Sequence, residues 1–269
     1  VIDIHTHLHP PRLFAAIRRW FAENSTWNLE HPTEPETVAR TLRTHGVDRF
    51  VFCSYAHKPG IARDLNVWLA DTARALGKGA IPLATVHVED ADPLGDAVDA
   101  LRSGCAGLKV HEDVQRFGID DERLTPVLDA VARHDGFVLA HVGHIPWSTE
   151  TRNGPARVAR VLERHPALRV VVAHFGAPDS LRYLDLAAQE PRLFLDTTMA
   201  FAAPSPMHAA IERADVERGV RQIVYGTDFP NIPYGYEGEL QGLRALGLGD
   251  VALRSIASEN AKRLTPALR

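Results

Sequence analysis

Cysteine is nearly absent: two residues, Cys53 and Cys105, stand in a chain of 269, too few for a disulfide framework. Long apolar runs are missing as well. No stretch approaches the roughly 18 consecutive apolar residues of a membrane-spanning helix, and no basic segment followed by an apolar run marks the start. There is no surplus of one charge. A net charge of −4 gives no electrostatic footprint for nucleic acid or an anionic membrane. No glycine-rich phosphate loop follows any apolar run, which argues against an open nucleotide-binding sheet. The expectation is a cytoplasmic protein whose partner is a small molecule, with no nucleic acid and no membrane. A homodimer is compatible with all of this.

What the chain does have is a repeat of apolar runs and helical segments. Hydrophobic residues make up 45% and charged residues 24%, enough to build a large core. Strand candidates fall at residues 1–5, 49–54, 81–87, 107–111, 137–142, 170–174, 193–197 and 222–227. Between them, apolar residues recur at helical spacing, as at Leu124, Val127, Leu128 and Val131. The strands are near-continuously apolar, as expected where both faces are covered. Eight strands alternating with helices predict an α/β fold, a parallel (β/α)8 TIM barrel, and the length suits one. The whole chain, 1–269, reads as one domain. Residues 10–31 form an insertion after the first strand, expected as a helix and loop over the barrel mouth. Residues 250–264 read as a closing helix with Asp250 as N-cap and Pro266 beyond its end.

Barrels of this kind carry their chemistry at the C-terminal strand ends. Strand one ends in His5 and His7, whose spacing of two puts both imidazoles on one side of a strand. Strand four ends in Lys109 and His111, strand five in His141, strand six in His174 and strand eight in Asp228. Converging imidazoles and a carboxylate suit a divalent metal with an open coordination position. Zn²⁺ is the first expectation, with Mn²⁺, Fe²⁺ and Co²⁺ as alternatives. Each residue also has a plainer reading. A strand-end histidine can be a satisfied core residue, Asp228 before Phe229-Pro230 can cap a turn, and Lys109 can form an ordinary ion pair.

The motifs resemble the metal-dependent amidohydrolase superfamily, in particular its amidohydrolase-related branch, which also holds decarboxylases of the carboxymuconate-semialdehyde type. The matching pieces are Asp3-Ile4-His5-Thr6-His7, Gly107-Leu108-Lys109-Val110-His111, Leu139-Ala140-His141-Val142-Gly143, Val172-Ala173-His174-Phe175-Gly176, Tyr225-Gly226-Thr227-Asp228-Phe229-Pro230 and Glu259-Asn260-Ala261-Lys262-Arg263-Leu264. The resemblance implies that His5, His7, His141 and Asp228 hold one metal, or that Asp228 sits beside it as general base. It makes His174 a catalytic histidine or a ligand to a second metal. Lys109 would bridge two metals as a carbamate, or contact substrate if there is one; one ion is the expectation.

Such a site makes hydroxide available from metal-bound water, with Asp228 moving the proton. Hydrolysis of a small amide, lactone or other ester is therefore the first functional expectation. Non-oxidative decarboxylation of a small unsaturated or aromatic acid is the alternative. The chain is shorter than the usual decarboxylases, which favours hydrolysis at this stage. Substrate contacts are expected from Lys109, His111, Arg116, His144 and Trp147, with Arg152, Tyr55, His57 and Asn231 in similar loop positions. His9 is expected at the rim, and Asp196 is placed to orient a neighbouring ligand. Cys53 and Cys105 read as packing thiols.

Overall fold

Apolar residues occupy both faces of nearly every strand, and the two faces have different neighbours. In the computed structural model, which describes residues 1–142, 154–208 and 210–269, the strands are β1 (Ile2–His7), β2 (Arg49–Cys53), β3 (Ala80–Pro82), β4 (Gly107–His111), β5 (Phe137–His141), β6 (Arg169–Val172), β7 (Leu193–Asp196) and β8 (Ile223–Val224). One face carries Val51, Ile81, Leu83, Phe137, Leu139, Val171, Phe194 and Val224, which pack together in a single cluster inside the barrel. Ala261, Leu264 and Leu268 of the C-terminal segment join that cluster. The alternate residues, such as Phe50, Phe52, Leu108, Val138, Val170 and Leu195, pack against the helices. This is the period-two division of a strand buried on both sides.

All strand pairs are parallel, in the orders β1-β2-β3 and β4-β5-β6-β7-β8. Backbone bonds join the two sheets on both sides. Ala84 N donates to Gly107 O at 2.8 Å and Lys109 N to Ala84 O at 2.8 Å. Across the other seam, Ile4 N donates to Tyr225 O at 2.9 Å and Asp228 N to His5 O at 2.8 Å. The sheet is thereby closed, and the fold is the (β/α)8 barrel that the alternation predicts.

The helices are α1 (Pro11–Asn24), α2 (Pro35–Thr44), α3 (Ala62–Leu76), α4 (Pro93–Arg102), α5 (Glu112–Gln115), α6 (Thr125–Arg133), α7 (Gly154–Arg164), α8 (Ser180–Gln189), α9 (Arg213–Gly219), α10 (Gly238–Ala245) and α11 (Asp250–Arg254). Among the described residues no helix is long and apolar enough to cross a membrane. α1 lies in the segment after β1. The loop that follows it returns to the barrel, where His31 Nε2 meets Tyr234 O at 2.7 Å.

Several boundaries differ from the sequence expectation. β1 continues to His7 because it keeps pairing with β2 as far as Cys53. β3 ends at Pro82, and beyond it Ala84 turns to bridge β4 while Thr85 is held by both ends of the Asn66 side chain. β6 stops before His174, which opens a short turn with φ 55°. β8 shrinks to two residues because the chain from Tyr225 onward bonds to β1 instead. The closing helix is not one regular helix. Gly249 occupies the cap position, so Asp250 sits in the first turn, and after Arg254 the chain changes to a wider turn over Ser255–Glu259 and a tighter one over Ala261–Arg263. Asn260 anchors this change by donating to Val220 O at 2.6 Å and Ile223 O at 2.7 Å.

Candidate metal centre

β1 carries one extra residue against β2. Asp3 pairs with Phe50 and Thr6 with Phe52, so three steps on β1 face two on its neighbour. Such a bulge resets the alternation of side chains. Ile2 and Ile4 lie in the barrel interior, and after the bulge His5 and His7 line the cavity at its mouth. Asp3 is left outside, accepting from Thr227 Oγ1 at 2.7 Å and the Tyr236 hydroxyl at 3.1 Å.

His5, His7 and Asp228 converge. His5 Nε2 lies 3.2 Å from His7 Nε2, and Asp228 Oδ1 lies 3.3 Å from the first and 2.8 Å from the second. These separations match an ion bound by nitrogen and oxygen at about 2.0–2.2 Å, whose tetrahedral ligands stand roughly 3.3 Å apart. His5 Nδ1 meets Asp196 Oδ2 at 2.7 Å, which fixes that tautomer and leaves the Nε2 lone pair facing the cluster. Asp196 Oδ1 accepts from the backbone N–H of His174 at 2.9 Å and of Thr198 at 3.1 Å. Asp196 thus makes the contact with His5 that an orienting residue would make. The donors fit a divalent metal.

Behind His7 stands Cys53, whose Sγ is 3.6 Å from His7 Nδ1 and 3.4 Å from Thr6 O. His5, His7 and Cys53 together form a group close enough to hold a metal. Because the sulfur approaches Nδ1 while Nε2 faces Asp228, Cys53 reads better as a support for the His7 ring. It is not the plain packing thiol of the sequence reading.

A second set of imidazoles lines the same cavity. His111 and His141 are register partners on β4 and β5, and their rings stack at 4.0 Å and 9°. His141 Nδ1 lies 3.0 Å from His174 Nε2. Lys109, 1% exposed, places Nζ 3.0 Å from His5 Nε2.

Except at His7, where Cys53 and Asp228 outweigh burial and raise the imidazole to about 9, burial governs the protonation of the group. It holds His5, His111 and His141 well below the usual histidine range, helped by the neighbouring positive charge of Lys109. His174 is lowered by burial too, against the pull of Asp228 and Asp196. Neutral imidazoles are the form that binds metal. At Asp228 burial works to raise the carboxyl, but His7, His5 and His174 outweigh it and hold it well below the usual carboxylate range. Asp228 also has φ 66°, a left-handed conformation rare outside glycine. Strain of this kind gathers at functional sites, and His174, Phe175 and Met199 share it at neighbouring strand ends.

The cavity has a volume of about 60 Å³ and opens to solvent. Its histidines, Lys109 and Asp228 are joined by Tyr55 and Asn231, and by Phe21, Trp27 and Met207. Phe21 and Trp27 come from the insertion after β1, which thus reaches the mouth as expected. Nothing in their sequence context separated them from ordinary core aromatics. Arg116 does not join the site. It ends α5 in a left-handed turn and is exposed, because Gln115 ties that turn inward through His111 N and Val86 O. His57 is also exposed. His9 is buried rather than at the rim, with Nδ1 2.7 Å from Ser54 Oγ and its ring stacked on His7. His144, Trp147 and Arg152 lie outside the described residues.

Comparison with known proteins agrees with this architecture. An uncharacterised TIM-barrel protein from Bordetella bronchiseptica is similar at 19% identity, with 100% of this chain and 99% of that one covered and a TM-score of 0.76. The 5-carboxyvanillate decarboxylase from Novosphingobium aromaticivorans, in complex with manganese and 4-hydroxy-3-methoxy-5-nitrobenzoic acid, is 14% identical over 98% of this chain and 95% of that one, with a TM-score of 0.67. A probable 2-pyrone-4,6-dicarboxylic acid hydrolase from Acinetobacter baumannii is 13% identical, covers 98% of each chain and gives a TM-score of 0.65. At these identities the likeness is one of fold. No curated protein matches the chain. The sequence model of the amidohydrolases matches residues 2–266, a span that contains every residue of the cavity: the chain belongs to the amidohydrolase family.

Proposed function

We propose that this amidohydrolase-family enzyme is a metal-dependent non-oxidative decarboxylase of a small aromatic or unsaturated carboxylic acid. The observation that carries the reading is the make-up of one cavity. Phe21, Trp27 and Tyr55 offer flat apolar walls, Lys109 offers a buried amine, and Asp228 is held ionised among imidazoles. A planar acid matches the walls and the amine. Its ring packs on the aromatic side chains, and its carboxylate is balanced by the amine. His5, His7 and Asp228 Oδ1 would hold the metal, with His141 on the same cavity wall. When bound, a divalent ion orients an acid and draws charge from its oxygens.

The proton chemistry falls to Asp228. Both of its histidine contacts are made by Oδ1, which leaves Oδ2 for transfer. Decarboxylation breaks the bond between the carboxylate and its neighbouring carbon, and the electron pair stays on that carbon as carbon dioxide leaves. The carbon then takes a proton that Asp228, ionised at rest, draws from solvent and passes on. A carboxyl held well below the usual range is a strong acid once protonated, and protonating carbon demands one. His174, buried beside His5 and His141, has its imidazole lowered by burial.

Hydrolysis of an ester, lactone or amide is the second reading, supported by the fold likeness to a probable pyrone hydrolase. The preference for it on grounds of length loses force, since this chain and the carboxyvanillate decarboxylase cover 98% and 95% of one another. A screen of the metal-loaded enzyme decides between them. Aromatic and unsaturated acids, lactones and N-acyl compounds are each followed by mass spectrometry. Loss of carbon dioxide from an acid is expected; turnover of lactones or N-acyl compounds alone would replace this reading with hydrolysis.

A further inference from the structure

The chain turns sharply after β8. Asp228 adopts its left-handed conformation and its carbonyl accepts from Asn231 N at 2.8 Å. The Asn231 side chain is therefore mounted on the same turn as the carboxylate that handles the proton. It is 6% exposed, lines the cavity with His5, His7 and Asp228, and its Oδ1 is buried without a hydrogen-bond partner among the described residues. Buried polar atoms are nearly always satisfied, and an exception in a cavity points to what the cavity receives.

Two other atoms of the cavity residues are in the same condition, His111 Nδ1 and His174 Nδ1. They are less informative. A neutral imidazole nitrogen donates or accepts according to its tautomer, whereas an amide oxygen only accepts.

We propose that Asn231 is a specificity-determining residue and that its Oδ1 selects substrates bearing a hydrogen-bond donor, a hydroxyl or an amine, beside the reacting carbon. A site built around such an acceptor rejects analogues that lack the donor, because they leave the buried oxygen unpaired. The inference rests on the reading of this cavity as the place where a planar acid binds.

The test is calorimetric binding to metal-loaded protein. The probes are benzoate and the three ring isomers each of hydroxybenzoate, aminobenzoate and methoxybenzoate. The methoxy compounds donate nothing and are one methyl group larger than the hydroxy compounds. Wild type should bind the 2-hydroxy or 2-amino isomer about tenfold tighter than the 2-methoxy isomer, with no such preference at the other ring positions. Asn231→Leu should erase that difference. Asn231→Asp keeps an acceptor and the side-chain shape, and it should keep the preference; it stands in if the leucine variant fails to fold. A preference that survives Asn231→Leu, a loss of preference in Asn231→Asp, or a wild type that favours methoxy isomers overturns the assignment. Equal binding of all the benzoates overturns it while leaving the reading of the cavity intact. Binding of none removes both.

Discussion

Asp196 meets His5 Nδ1 at 2.7 Å with neither side chain exposed to solvent. The pair joins the end of β7 to the end of β1 across the barrel mouth. It determines which nitrogen of His5 is left to face His7 and Asp228. Asp196→Asn should therefore weaken divalent-metal affinity by about 10–100-fold, the usual effect of losing such a support. Metal titration against a competing chelator measures it. Affinity equal to wild type would mean that His5 needs no orientation from Asp196.

Asp228→Asn keeps the size of the side chain and removes the group that carries the proton. Turnover should fall by at least about 10²-fold, with the thermal midpoint little changed. A fully active variant would take Asp228 out of the mechanism.

Lys109 separates a one-ion site from a two-ion site. An ammonium 3.0 Å from His5 Nε2 is repelled by a cation on that nitrogen, so with one ion bound Lys109 must turn toward the substrate. Lys109→Met should retain the metal and raise KM for the acid. Loss of the metal in this variant, or a carbamate on Lys109 in the intact wild-type mass, would instead establish a bridging lysine.

Glu239 gives a pH signature separate from the metal centre. Its carboxyl accepts from the Tyr234 hydroxyl at 2.7 Å and Phe201 N at 3.0 Å. Burial raises it from 4.5 to about 7, against the lowering effect of these bonds. Between those two values the folded protein keeps a proton that the unfolded chain has released. The contribution of Glu239 to stability is thus complete below the lower value and declines as pH rises through the window. Glu239→Gln should flatten the fall in thermal midpoint between about pH 5 and pH 7. Asp3, also raised to about 7 by burial, leaves a residual slope. Identical pH profiles for variant and wild type would contradict the assignment.

The strand ends were legible in the sequence because His5, His7, Lys109, His111 and His141 terminate apolar runs, and a run is a local signal. The fold followed from counting such runs. The geometry between strands was not legible in the same way. The bulge that brings His5 and His7 onto the interior side depends on the pairing of β1 with β2. Cys53 read as a packing thiol because its partner His7 lies 46 residues earlier. Arg116 read as a substrate contact because nothing local shows that Gln115 ties the turn inward and leaves the arginine outside. The break in the closing helix likewise depends on distant carbonyls, those of Val220 and Ile223, which Asn260 binds.

Anomalous diffraction from crystals of the metal-loaded protein is the most direct test of the central claim. One peak is expected, within bonding distance of His5 Nε2, His7 Nε2 and Asp228 Oδ1, with His7 Nδ1 still turned toward Cys53. A peak bonded to the Cys53 sulfur, or no peak at these residues at full metal loading, would contradict the account.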